Sequence, residues 1–220
     1  MLVSCLMATR DRRRFVPEAV AAFEAQTLSD SELIVVDDGE DSVLDLVPVG
    51  NRFRYVQLAG RHHFCALRDV ALSFARGHYV AVWDDDDLPA PDRLAVQVEA
   101  LERAGGGLCL LASSVVWREE PEGTWVYTPT DPFMLDNTAV FSRRAGFSFR
   151  GEGLAGAAVN ALRADFPGQP VLVRDRPELL VTRRHGANTC ARACGCGPEW
   201  AAVGRQSHLA GRAALDSRLA

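Results

Sequence analysis

Short apolar runs alternate with amphipathic stretches through the first hundred residues, and that rhythm restricts the fold more than any other feature of the chain. Leu2 to Ala8 reads as a buried strand. Arg14 to Gln26 reads as a helix with Phe15, Ala19, Ala22 and Phe23 along one face, and Pro17 suits its first turn. Leu33 to Val36 and Phe53 to Leu58 are the next strands, Phe64 to Arg76 a second helix, and Tyr79 to Trp83 a fourth strand. Pro91 to Ala104 is a helix opened by proline and closed by Gly105-Gly106-Gly107. This order predicts an α/β fold: a mostly parallel, doubly wound, Rossmann-like sheet with right-handed crossovers.

After Leu108 the rhythm changes. Leu108 to Val116 and Thr124 to Tyr127 read as strands joined by the turn Glu120-Pro121-Glu122-Gly123. Segment 129–150 is mixed, Gly153 to Ala164 reads as a helix, and Val171 to Val173 and Leu179 to Thr182 read as short strands. From Cys190 the chain is rich in Gly, Ala and Arg and gives no clear element.

The chemistry concentrates in Asp84-Asp85-Asp86-Asp87, directly after the fourth strand. Four adjacent carboxylates repel one another, so a folded chain tolerates them where a cation sits among them or water bathes them. Mg²⁺ and Mn²⁺ take oxygen ligands, and Mg²⁺ typically uses one or two carboxylates together with substrate phosphates. In an open α/β sheet, ligands bind outside the carboxyl ends of the strands. The competing reading is a solvated acidic turn. Asp37 and Asp38 end the second strand on the same edge, where a turn carboxylate capping the next helix is the alternative to a ligand contact.

Composition narrows the options. The chain has 220 residues with 48% hydrophobic content, enough for one sizeable core. A net charge of -5 gives no basic footprint for nucleic acid. All 24 basic residues are arginines, which excludes a lysine Schiff base and a lysine-bearing phosphate loop. No apolar run approaches about 18 residues, and Met1 to Ser4 has no signal-peptide pattern, so a cytoplasmic protein is expected. Cys5, Cys65 and Cys109 lie in apolar surroundings and are expected to be reduced core thiols. Cys190, Cys194 and Cys196 could hold a metal only with a fourth ligand.

Taken together, the motifs resemble the family 2 nucleotide-sugar glycosyltransferases of GT-A fold. The resemblance runs through Val3 to Arg12, Ala25-Gln26-Thr27-Leu28, Glu32 to Gly39, Ala66-Leu67-Arg68-Asp69-Val70-Ala71, Ala75 to Val80, Trp83 to Asp87 and Ala90 to Leu94, with a weaker echo at Arg184 to Thr189. It implies that residues 1–104 form the nucleotide-sugar half of one GT-A domain. By the same resemblance, 105–190 form a small acceptor-side half and 191–220 a tail. It implies a nucleotide-diphosphate-sugar donor, with UDP as the expected nucleotide, and Mn²⁺ or Mg²⁺ as cofactor. Ala8, Thr9 and Arg10 would line the donor crevice. Asp37 and Asp38 would contact base and ribose, and Arg68 the nucleotide, though Asp69 beside it could neutralise that arginine internally. Asp84-Asp85-Asp86 matches the family's Asp-x-Asp motif, with Asp86 the metal ligand, Asp84 at the ribose or the metal's water shell and Asp85 beside the sugar or diphosphate. Asp87 would be a supporting partner or a helix-start carboxylate. His185 would complete the metal's coordination.

The family inverts the anomeric centre by a single displacement, for which an acceptor hydroxyl needs a base. Glu152 in Gly151-Glu152-Gly153 is the candidate; in the Glu-Asp form of the motif the base would instead have been lost at Gly153, and Asp131 and Asp136 stand as fallbacks. Two other functions stay open: a donor-binding module without activity, and a nucleotidyltransferase, disfavoured because Ala8 to Arg14 holds arginines but no glycine. The acceptor is left open among saccharides, lipid-linked sugars, natural products, peptides and modified nucleic acid, as is a homodimer.

Overall fold

The computed structural model describes residues 1–119, 122–149, 157–186 and the strand 200–202. A seven-stranded sheet forms its centre. Four parallel strands, β1 (Val3–Thr9), β2 (Ser31–Asp37), β3 (Phe53–Gln57) and β4 (Tyr79–Val82), carry one side of it. Beyond β4 the order continues through β9 (Val140–Ser142), β6 (Leu108–Leu111) and β10 (Val171–Val173), giving β10-β6-β9-β4-β1-β2-β3. Only β9 runs against the others. The mostly parallel, doubly wound sheet is as the sequence predicts.

Its strands are apolar on both faces because both faces are covered. Val3, Cys5 and Met7 point to one side, against α1 (Val16–Glu24) and α3 (Arg93–Ala104). Leu6, Val80, Val82 and Phe141 point to the other, against α2 (Phe64–Ser73) and α4 (Ala157–Asp165). Gly105 closes α3 in the left-handed conformation at φ 80°, the place for a residue without Cβ. Cys5, Cys65 and Cys109 are buried free thiols; burial pushes Cys5 up to about 12 and the other two up to about 11, so all three stay neutral.

Three features depart from the sequence reading. The single strand expected over Leu108 to Val116 is two: β6 belongs to the main sheet, whereas β7 (Ser114–Arg118) joins a second sheet with β8 (Gly123–Tyr127). β9 was hidden in the mixed segment, yet it sits in the interior of the main sheet between β4 and β6. Trp200–Ala202, inside the stretch that gave no element, forms β12 against β8. The second sheet has the order β12-β8-β7-β11-β5, with β11 at Leu180–Arg184 and β5 at Leu88–Pro89. The acidic run therefore bridges the two sheets: β4 of the first ends at Val82, and β5 of the second begins at Leu88. Among the described residues, no helix is long and apolar enough to cross a membrane.

At the opposite end of the strands, Glu32 ties β2 to its neighbours. Ser4 Oγ donates to Glu32 Oε1 at 2.6 Å, and Arg76 donates through its backbone N–H at 2.9 Å and its Nε at 2.9 Å. Burial pushes the Glu32 carboxyl up, but these bonds outweigh it and hold it below the usual 4.5. The folded state thus favours the carboxylate. Its contribution is fully present above about pH 4.5 and is lost as pH falls through the lowered folded value. Glu32→Gln is expected to cost about 2 kcal/mol at pH 7 and less at pH 3. Urea denaturation of both proteins at the two pH values checks this; an equal difference at both would remove the charge from the account.

Candidate active site

β1, β2 and β4 run parallel as neighbours, so their carboxyl ends, where the sequence puts the candidate site, lie side by side. Thr9, the last residue of β1, pairs with Asp37, the last of β2. The Asp37 carboxylate is buried and serves its own loop: Oδ1 accepts from Gly39 N–H at 2.8 Å, and Oδ2 from Val43 N–H at 3.1 Å and the Tyr55 hydroxyl at 2.8 Å. This is the turn role raised as the alternative. Asp38 accepts from Arg10 Nε at 2.8 Å and from His62 N–H at 2.6 Å. Burial pushes its carboxyl up, but the bonds and charge of Arg10 and the His62 amide bring it below the ordinary range. Arg10 also donates to the His62 carbonyl, so it clasps the loop after β3 to the end of β2.

The loops after β1 and β2 meet closely. Asp11 adopts φ 52° and its Oδ1 accepts from the N–H groups of Glu40 at 2.8 Å and Asp41 at 3.2 Å. A Cβ on Gly39 would stand 2.6 Å from Asp11 N, so only glycine fits there. With Asp11 pinned, Arg10 engages Asp38 while Arg12 engages the acidic run.

Each carboxylate of that run has its own partners. Arg68 Nη2 donates to Asp84 Oδ1 at 2.6 Å. Asp85 is 2% exposed; its oxygens accept from Thr9 Oγ1 at 2.7 Å and Arg12 Nη1 at 2.8 Å. Burial dominates there and pushes its carboxyl up to about 6. Asp86 Oδ2 receives Arg12 Nη1 at 3.1 Å and lies 3.0 Å from His185 Nε2. Burial would raise Asp86, but His185 and Arg12 outweigh it and hold it below the usual range. Asp87 accepts from Asn137 Nδ2 at 2.7 Å and Arg183 N–H at 3.1 Å. Its complete burial, and then the charges of Asp86 and Asp84, push it well above the ordinary carboxylate value. A solvated acidic turn does not describe this run, because Asp85, Asp86 and Asp87 are buried.

Arg68 lies on α2 over the rings of Phe64 and Phe149. Asp69 does not neutralise it; that carboxylate turns away to accept from Ser148 Oγ at 2.8 Å and Phe149 N–H at 2.6 Å. Arg68 Nη1 is buried and has no hydrogen-bond acceptor among the described residues; Asp136 Oδ2 stands 3.8 Å from it. Asp131 caps the turn Pro132–Thr138 and pairs with Arg163, away from the run. Glu152, Gly153, Cys190, Cys194 and Cys196 lie outside the described residues.

Among the described residues, no group of three or more His, Cys, Asp or Glu side chains could by itself hold a metal ion. Asp86 Oδ2 and His185 Nε2 lie 3.0 Å apart, a hydrogen bond between carboxylate and imidazole. Phe15, at the head of α1, packs on the His185 ring with centroids 4.3 Å apart. Arg12, Phe15 and Asn137 were not singled out from sequence. Arg12 sits in a run of arginines, and the other two are ordinary residues until the fold brings them to the acids.

The profile of glycosyl transferase family 2 matches residues 4–163. The chain is 30% identical over 148 residues to WcaA of Escherichia coli K12, whose name provisionally assigns it to glycosyl transfer in colanic acid biosynthesis; the match covers 65% of this chain and 51% of that protein. It is 38% identical over 66 residues to the cholesterol galactosyltransferase of Borreliella burgdorferi, covering 28% of this chain and 18% of the other. Among solved structures, S. aureus TarS 1–349 in complex with UDP-GlcNAc superposes with a TM-score of 0.69 at 15% identity, covering 88% of this chain and 62% of that one. The same protein with UDP gives 0.67 at 16%, covering 83% and 60%. These two are likenesses of fold. The chain thus spans about half of its E. coli relative and about three fifths of the TarS chain. With the profile matched across most of its length and the fold shared with these neighbours, the chain belongs to glycosyl transferase family 2, of GT-A fold.

Proposed function

We propose that this site binds a nucleotide-diphosphate-sugar, with UDP the nucleotide, and transfers the sugar with inversion to an acceptor hydroxyl. The observation that carries the reading is Arg68 Nη1, a buried donor beside the acidic run that makes no hydrogen bond among the described residues. Buried N–H groups in folded proteins are nearly always paired, and a phosphate oxygen is the acceptor a guanidinium suits best. The crevice between β1 and β2, closed by Arg10 and Asp38, would take the base and ribose. Asp86 and His185 would hold Mn²⁺ or Mg²⁺, with Asp84 at the ion's water shell or the ribose. A divalent ion, when bound, supplies neutralisation of the diphosphate charge as it departs. Arg68 would orient the diphosphate and Thr9 would keep Asp85 in place, since its hydroxyl already donates to that carboxylate. The TarS complexes with UDP and UDP-GlcNAc, which share this fold, support the choice of donor.

Glu152 would take the acceptor proton. Glu152→Gln is expected to lower sugar transfer roughly hundredfold while UDP affinity, measured by calorimetry, stays unchanged. In wild type, slow release of UDP from a UDP-sugar marks the transferase; release of pyrophosphate would assign a nucleotidyltransferase instead. Unchanged turnover in Glu152→Gln would pass the role to Asp136, which stands 3.8 Å from Arg68.

A further inference from the structure

We propose that Asp69 is a positioning residue for donor binding: it clasps Phe149, and the Phe149 ring keeps the Arg68 guanidinium available to a diphosphate and away from Asp136. The inference rests on the donor reading proposed above and adds the device that holds its arginine ready. Asp69 Oδ1 accepts from Phe149 N–H at 2.6 Å, and Oδ2 accepts from Ser148 Oγ at 2.8 Å. One carboxylate on α2 thus grips two adjacent residues of a segment far away in the chain. Phe149 is fully buried, with the rings of Phe147 and Phe141 centred 5.1 and 6.1 Å from its own. The Arg68 guanidinium carbon lies 5.7 Å from the centre of the same ring and 5.0 Å from that of Phe64. Phe64 stands one turn before Arg68 and comes with the helix. Phe149 has to be brought there, and the residue next to Arg68 holds it by its backbone.

The ring matters because Nη1 of Arg68 has two ways to find an acceptor. Nη2 is already bound to Asp84 at 2.6 Å. Nη1 is buried, makes no hydrogen bond among the described residues, and stands 3.8 Å from Asp136 Oδ2. A shift of roughly 1 Å closes that gap to a hydrogen bond. An arginine shared between Asp84 and Asp136 would have to give up a charged partner before it could take a phosphate, and the ligand would bind more weakly. A ring packed against the guanidinium opposes the shift, since a close-packed interior leaves little room for it. Asp69 itself lines a surface cavity with Leu72, Arg143 and Phe147, so truncating it leaves no void in the core.

The test compares UDP with uridine, which lacks the diphosphate, by calorimetry of the full chain in EDTA. In wild type, UDP is expected to bind on the order of tenfold tighter than uridine, and Arg68→Gln to lose most of that difference. Asp69→Ala and Phe149→Leu are each expected to weaken UDP about fivefold and leave uridine unchanged. Asp69→Asn keeps an oxygen for Phe149 N–H and an amide for Ser148 Oγ, so it should stay within about twofold of wild type. Asp136→Asn added to Asp69→Ala is expected to recover most of the loss. Phe149→Leu carries the test if Asp69→Ala does not fold. Unchanged UDP affinity in Asp69→Ala and Phe149→Leu, with Arg68→Gln still impaired, overturns the role of Asp69 alone. So does an equal loss of UDP and uridine, which marks general damage. Asp69→Asn as weak as Asp69→Ala would place the effect in the charge and overturn the clasp, and a double variant as weak as Asp69→Ala would overturn the capture by Asp136. UDP bound no tighter than uridine in wild type overturns the donor reading and this inference together.

Discussion

Asp86→Ala is expected to lower kcat/KM for a UDP-sugar by about three orders of magnitude, the largest effect on activity of any substitution considered. Asp86 Oδ2 faces both an imidazole and a guanidinium, so the variant would remove the proposed anchor of the ion and a partner of both neighbours at once. The loss should be confined to reactions with divalent metal. Calorimetry of UDP in the presence of EDTA should give the same affinity for the variant and wild type, whereas addition of Mn²⁺ should tighten binding only in wild type. The fold should survive, because Asp86 lies between β4 and β5 rather than in a strand and Arg12 keeps Asp85 as a partner. A variant that retains Mn²⁺-dependent UDP binding would remove Asp86 from the ion site.

The largest expected effect on stability is Arg93→Met, at about 4 kcal/mol. Arg93 is 1% exposed, an unusual place for a guanidinium. Burial holds its pKa below the ordinary arginine value. Three acceptors keep it there: Gln97 Oε1 at 3.0 Å, the Val82 carbonyl at 3.1 Å and the Asn137 carbonyl at 3.2 Å. It also lies over the ring of Trp83, whose own Nε1–H donates to the Ala19 carbonyl at 3.2 Å. Methionine fills similar space with no donor, so these acceptors lose their partner inside the protein, where each unsatisfied group costs about 1–3 kcal/mol. The midpoint of thermal unfolding should fall by about 10 °C. The damage should reach the site too, because Arg93 binds the residue before Trp83 and the backbone of Asn137, whose side chain holds Asp87. Melting within about 2 °C of wild type would show that Arg93 is not needed to hold the end of β4 in place.

The elements of residues 2–104 were legible in their own local pattern. Strands covered on both faces must be apolar throughout, so β1, β2 and β4 stand out as Leu2 to Ala8, Leu33 to Val36 and Tyr79 to Val82; helices covered on one face show their stripe, and a glycine marks the end of α3. Polar residues at strand ends then fall on one crevice, which is why Thr9, Asp37, Asp38 and the acidic run could be placed without coordinates. The tertiary structure alone decided the partners. Nothing local tells that Leu108 to Val116 breaks between two sheets, or that Val140–Ser142 inserts beside β4, because strand pairing depends on what the rest of the chain leaves open. In the same way, which arginine of the run Arg10 to Arg14 meets Asp85 and Asp86 follows from the left-handed turn at Asp11, and the approach of His185 to an aspartate 99 positions away follows from β11 lying beside β5. Backbone periodicity is written into neighbouring residues, whereas a charge finds its counter-charge through the packing of segments far apart in the chain.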